Sequence, residues 1–114
     1  MGGTTALLSQ LTAAKNGLED AQIAYCGAVT AHAEAKRTLE LSEAVKLCEG
    51  VEGKNERERS ANLRLELNTE TVALAEAEDA LTEARCALEV ARLEWELARY
   101  SVRVLEPQSF REVA

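Results

Sequence analysis

Few side chains in this 114-residue sequence could do chemistry, and none has the neighbours that chemistry needs. His32 is the only histidine. A histidine general base needs a nucleophile within reach and an acid to orient its ring, and no such set surrounds His32 in the sequence. A carboxylate-bridged metal pair in a helix bundle needs Glu-x-x-His on an inward face, but the residue three before His32 is Val29. Cys26, Cys48 and Cys86 are odd in number, widely spaced and outside any C-x-x-C or Cys/His cluster, so they read as reduced thiols of a cytoplasmic protein. No phosphate-cradling glycine loop, dinucleotide fingerprint or H-E-x-x-H motif occurs. The expectation is a non-enzyme with no catalytic residue, no cofactor and no metal.

The one information-dense segment is Gly50-Val51-Glu52-Gly53-Lys54-Asn55-Glu56-Arg57-Glu58-Arg59-Ser60-Ala61-Asn62-Leu63. A capped turn accounts for the glycines, for Asn55 as an N-cap and for Glu58 three residues on as its capping-box partner. It does not require Lys54, Arg57 or Arg59. Those three are therefore the candidate partner-contact tip, facing a phosphate or an acidic protein surface.

Two heptad patterns must position this tip. In the first half a large position runs Leu11, Leu18, Tyr25, His32, Leu39, and three residues after each comes Ala14, Ala21, Ala28, Ala35, Ser42. In the second half the large position runs Leu67, Leu74, Leu81, Leu88, Trp95, Val102, with Ala77, Ala84, Ala91, Ala98 and Leu105 as partners. Both are 4-3 seams with large residues at a and alanine at d. In antiparallel helices a faces d, so each layer sets a large side chain on a methyl and lets the axes approach closely. A parallel pairing would stack alanine on alanine and leave holes. The fold expected is all-α: a long antiparallel two-helix coiled-coil hairpin occupying residues 1–114. Helix is expected over about 5–49, the turn over 50–55, a second helix over about 56–105 and a tail over 106–114. The second helix is expected to stop at Leu105 because Pro107 disfavours α conformation at the residue before it. Two registers fit. One pairs residues whose numbers sum to 102 (His32 with Glu70, Leu7 with Trp95). The other pairs those summing to 109 (His32 with Ala77, Ala14 with Trp95). The first is preferred for its shorter loop and for the carboxylate it brings to His32, although the second keeps large against alanine more faithfully.

The second helix carries a further apolar row, Val90, Leu93, Leu97, Tyr100 and Val104, with Cys86 extending it, on the face opposite the Leu/Ala seam. A helix apolar on two sides needs two neighbours. The expectation is a homodimer forming a four-helix bundle at the end that holds the termini. The alternative is that Phe110 and the residues after Pro107 fold back over the row. The net charge of −7 argues against direct binding of duplex DNA, which needs clustered Lys and Arg. The acid is uneven: residues 66–96 carry nine acidic side chains against two arginines. No stretch is apolar enough to span a membrane and no leader pattern opens the chain, so a cytoplasmic location is expected.

Gly53-Lys54-Asn55, then Arg59 and the helix start Ala61-x-Leu63, resembles a G-K-N-x-x-x-R segment that joins two heptad-rich helices in short helical proteins of bacteriophages and prophages. The local match covers about a dozen residues, and the hairpin layout covers most of the chain. The resemblance implies a non-enzymatic phage accessory protein near recombination or replication functions, residing in the host cytoplasm, and carries over no active residues. The leading functional expectation is an interaction protein that presents its tip and outer faces to an unidentified protein partner. Two alternatives stay open. Glu76, Glu83, Glu89 and Glu96 could imitate a row of phosphates and block a host DNA-binding enzyme, or the hairpin could be a strut in a virion or its assembly.

Overall fold

The chain is all-helical. In the computed structural model α1 spans Gly2–Glu49, α2 Glu56–Glu66 and α3 Asn68–Val113. The backbone is described for residues 2–113, and side chains for residue 3 and residues 5–104. α1 ends where Gly50 takes a φ of +88°, and the Gly50 N–H donates to the Lys46 carbonyl at 3.1 Å. That left-handed residue satisfies one of the orphan carbonyls of the last turn.

Two expectations about the second helix need correction. It does not stop at Leu105: α3 continues to Val113 and contains Pro107. Proline removes one N–H and crowds the carbonyl four residues back, but its fixed φ is itself helical, so the penalty is local. The second helix is also not continuous from residue 56. Leu67 sits between α2 and α3 with φ −96° and ψ 10°. The Leu67 carbonyl accepts both the Thr71 N–H and the Thr71 Oγ1 hydroxyl, each at 2.9 Å. A threonine hydroxyl bonding back to the carbonyl four residues earlier loosens and bends a helix. The cluster Asn68, Thr69, Thr71 adds residues of modest helix propensity at the same place.

The helices contribute to two compact units, Gly27–Thr82 and Met1–Cys26 with Glu83–Ala114. Within Gly27–Thr82, the later half of α1 runs antiparallel to α2 and the start of α3. Half-buried residues on α1 recur as Ala28, His32, Ala35, Leu39, Ser42 and Lys46, the 4-3 spacing of the seam. Their counterparts are Leu63, Leu67, Glu70, Leu74, Ala77 and Leu81, and Leu67 is only 5% exposed. His32 Nε2 lies 3.6 Å from Glu78 Oε1. This rules out the preferred pairing of His32 with Glu70 and sets the register close to the alternative that puts His32 opposite Ala77.

The unit Met1–Cys26 with Glu83–Ala114 repeats the scheme independently. Leu7, Leu11, Ala14, Leu18, Ala21 and Tyr25 are half-buried on α1. On α3, Leu88 and Ala91 are buried at 6% and 7% exposure, with Ala84, Trp95, Ala98 and Val102 half-buried. Gln10, Ala13 and Ala14 share one hollow with Glu94, Leu97, Ala98 and Ser101, so Trp95 is level with Ala14, not with Leu7. Arg99 lies over the Trp95 ring with its guanidinium carbon 5.9 Å from the centroid, covering the solvent side of the one indole. Leu105, expected on the seam, and Phe110, the alternative cover for the outer row, have side chains outside the described residues.

His32 and Glu70 are among the seam positions that depart from the large/small code. His32 occupies a large position, and its contact with the exposed Glu78 is a rim interaction of small worth. Glu70 occupies an alanine position, and its Oε2 is buried without a hydrogen-bond partner. An unsatisfied buried polar atom costs about 1–3 kcal/mol. Glu70→Ala and His32→Leu should therefore each raise stability in urea denaturation, by about 1 kcal/mol from burial and relief of desolvation. A fall in the midpoint for both would show that the seam is not layered as described.

Candidate functional site

The tip is a structure of its own, built by the residues that carry the sequence motif. Asn55 is the N-cap of α2: the Glu58 N–H donates to Asn55 Oδ1 at 2.8 Å. Glu58 reaches back, its Oε2 accepting the Lys54 N–H at 3.2 Å, one residue earlier than the usual capping box. The Arg59 N–H donates to the Asn55 carbonyl at 3.0 Å, opening the helical ladder. Asn62 Nδ2 donates to the Glu52 carbonyl at 2.7 Å. Residues 52–55 thus climb alongside the first turns of α2 instead of crossing directly from helix to helix.

Gly53 makes that path possible. Its φ is +156°, and a Cβ there would sit 2.7 Å from both the Arg59 backbone nitrogen and Arg59 Cγ. Only a residue without a side chain lets the loop lie this close. The climb also explains the register. α2 begins beyond the end of α1, which offsets the pairing toward a sum of 109, and Leu47 shares a hollow of about 360 Å³ with Leu63.

The structure brings Lys54, Arg57 and Arg59 together at this loop, all exposed. None makes an ion pair among the described residues. The backbone N–H groups of Lys54 and Arg59 serve the cap, and the aliphatic stem of Arg59 covers Gly53. What is left to face a partner is the three cationic ends, interleaved with Glu52, Glu56 and Glu58, all exposed.

The outer row on α3 lies in the other unit. Val90 is 54% exposed, Leu93 and Leu97 65%, Tyr100 64% and Val104 45%. Cys86 is exposed at the head of the row. Leu93, Leu97 and Tyr100 floor a shallow hollow of about 470 Å³ whose margin is Glu96, Arg99 and Arg103. The row is therefore apolar along its centre and charged with both signs at its edge. Glu76, Glu83, Glu89 and Glu96 are all exposed, but Glu96 shares its hollow with two arginines, so a uniform negative row is not maintained there.

Other exposed apolar residues escaped the heptad reading because they lie off the seam: Ile23 at 72% and Leu65 at 76% exposure, with Leu8, Leu41, Val45 and Val72. Scanning for apolar residues outside positions a and d would have found them. Among the described residues no three His, Cys, Asp or Glu side chains are placed to hold a metal ion, and no helix is long and apolar enough to cross a membrane. Comparison of the chain with protein-family models, with curated proteins and with solved structures finds no match.

The tip geometry ranks two substitutions. Asn55→Ala should cost about 1 kcal/mol, the usual worth of an N-cap. Gly53→Ala should cost more, about 2 kcal/mol or above, because positive-φ strain adds to the clash with the Arg59 backbone. Equilibrium unfolding of the two variants checks the order, and a Gly53→Ala protein as stable as wild type would mean the loop does not climb against α2.

Proposed function

We propose that this chain is a non-enzymatic accessory protein of the phage type that acts by protein–protein interaction, with the outer row of α3 as its self-association surface and the basic tip as a contact for a second, acidic partner. The observation that carries this reading is the row Val90, Leu93, Leu97, Tyr100 and Val104, five large apolar residues on one face and about half exposed or more. Single exposed apolar residues are ordinary on protein surfaces, whereas a contiguous row rimmed by charge marks an interaction site. The resemblance of the G-K-N-x-x-x-R segment supports the phage assignment. The cationic ends of Lys54, Arg57 and Arg59, left over after the backbone has served the cap, support the tip contact.

In this reading the helices supply rigid placement and no bond chemistry. Two copies bury the α3 rows against each other as a four-helix bundle. A link to phage DNA recombination or replication would then run through a protein partner, since the chain's own charge of −7 repels phosphate.

The molar mass in solution is the direct test. At micromolar concentration the wild-type chain should exceed its 12.4 kDa monomer mass in sedimentation equilibrium. Leu93→Glu with Leu97→Glu should return it to the monomer with its helical circular dichroism intact. A wild-type protein that stays monomeric across this range removes the self-association surface.

A further inference from the structure

Resting on the proposal that the α3 row is a self-association surface, we propose that its occupant is the same row of a second copy, running antiparallel, with the two-fold axis at residue 95. The six row positions are symmetric about that residue. Cys86 and Val104 lie nine residues to either side, Val90 and Tyr100 five, Leu93 and Leu97 two. A two-fold interface must be self-complementary, residue i meeting j and j meeting i. Turned end for end about residue 95, every member of the row finds another: Leu93 meets Leu97, Val90 meets Tyr100 and Cys86 meets Val104. The largest side chain falls against a mid-sized one and the smallest against a valine, which evens the layers.

Charge at the margins separates this alignment from a parallel one. In an antiparallel pair like flanks face each other, and Glu89 of each copy comes level with Arg103 of the other, twice per dimer. An in-register parallel pair would instead bring Glu89 level with Glu94 of the other copy, twice, and Tyr100 onto Tyr100. Opposite charges across an interface set orientation. The antiparallel arrangement also places Glu96 near its own copy at the axis, where Arg92 and Arg99 bracket it on the same helix. Glu94 meets its copy on the other flank without such cover. Each alignment thus carries two like pairs on exposed rims, so the two Glu89–Arg103 attractions of the antiparallel one are what separate them.

Cysteine cross-linking decides the matter on the full chain. With Cys26→Ala and Cys48→Ala as background and helicity checked by circular dichroism, three proteins are oxidised under mild conditions at micromolar concentration: Cys86 alone, Val104→Cys with Cys86→Ala, and Val104→Cys with Cys86 retained. In the antiparallel dimer like cysteines are about 18 residues apart along the helix, or about 27 Å, far beyond disulfide reach. Cys86 and a cysteine at 104 of the other copy are level. The double-cysteine protein should therefore close to a covalent dimer and no larger species, roughly a hundredfold faster than either single-cysteine protein, because paired thiols react at millimolar effective concentration. The same two cysteines cannot join within one chain, since they stand on one helix at that same separation. Rapid dimer formation by Cys86 alone would overturn the antiparallel register while leaving self-association standing. A ladder of higher covalent oligomers would overturn the closed two-fold. No cross-link in any protein, together with a monomeric mass, would remove both this inference and the self-association surface beneath it.

Discussion

The constraint on which the rest depends is the burial of one thin row of large and alanine positions that recurs on both long helices. Alanine contributes little burial of its own, at roughly 25 cal/mol per Å² of apolar surface removed from water. Its value is geometric. A helix face of alanines lets a second helix approach to the short end of the packing range, and only then does one leucine fill the layer. Both compact units bury residues of that pattern. Leu88 and Ala91 are buried in one, and Leu67 is the most buried side chain of the other. A pair of helices has a thin seam, so almost every other seam residue is only half-buried and each layer contributes modestly. That is why the exceptions matter: a carboxylate at Glu70 or a histidine at His32 takes a whole layer out of the pattern.

The tip follows a different rule, the satisfaction of backbone hydrogen bonds. Ends of helices leave donors and acceptors without partners, and here nearly every notable residue of the loop answers one. Gly50 closes α1, Asn55 opens α2, Glu58 reaches back to Lys54, and Asn62 holds the Glu52 carbonyl. Gly53 is there because Arg59 is too close for anything larger. The segment Gly53-Lys54-Asn55 with Arg59 is thus in large part a recipe for a turn. Its cationic ends are the part that folding does not consume.

α3 is the element with two jobs. One face supplies the Leu/Ala seam and the opposite face carries the outer row, while Arg99 sits between them over Trp95. A single neighbouring helix can cover only one of these faces. The cost of leaving the other in water is the physical reason for reading the outer row as a surface meant for burial. The mixed charges at its margin, Glu96 beside Arg99 and Arg103, suit recognition of a surface of similar composition better than recognition of a polyanion.

What residue order determined by itself was everything that depends on spacing along one chain. The helical class, the seam positions on both helices, the Gly50 stop, the Asn55 start and the apolar row opposite the seam all follow from 4-3 periodicity and capping chemistry, which are local. Three features were decided only in three dimensions. The register went to the pairing near 109 because residues 52–55 climb against α2, a path that depends on how close Gly53 can come to Arg59. The interruption at Leu67, where φ is −96° and ψ 10°, is a departure that Asn68 and Thr69 hint at without settling. The passage of α3 through Pro107 reverses a strong local preference. A one-heptad shift leaves every a and d residue on its face, so periodicity cannot tell the two registers apart. Only the actual separation of side chains on facing helices, His32 beside Glu78 and Ala14 beside Ala98, distinguishes them.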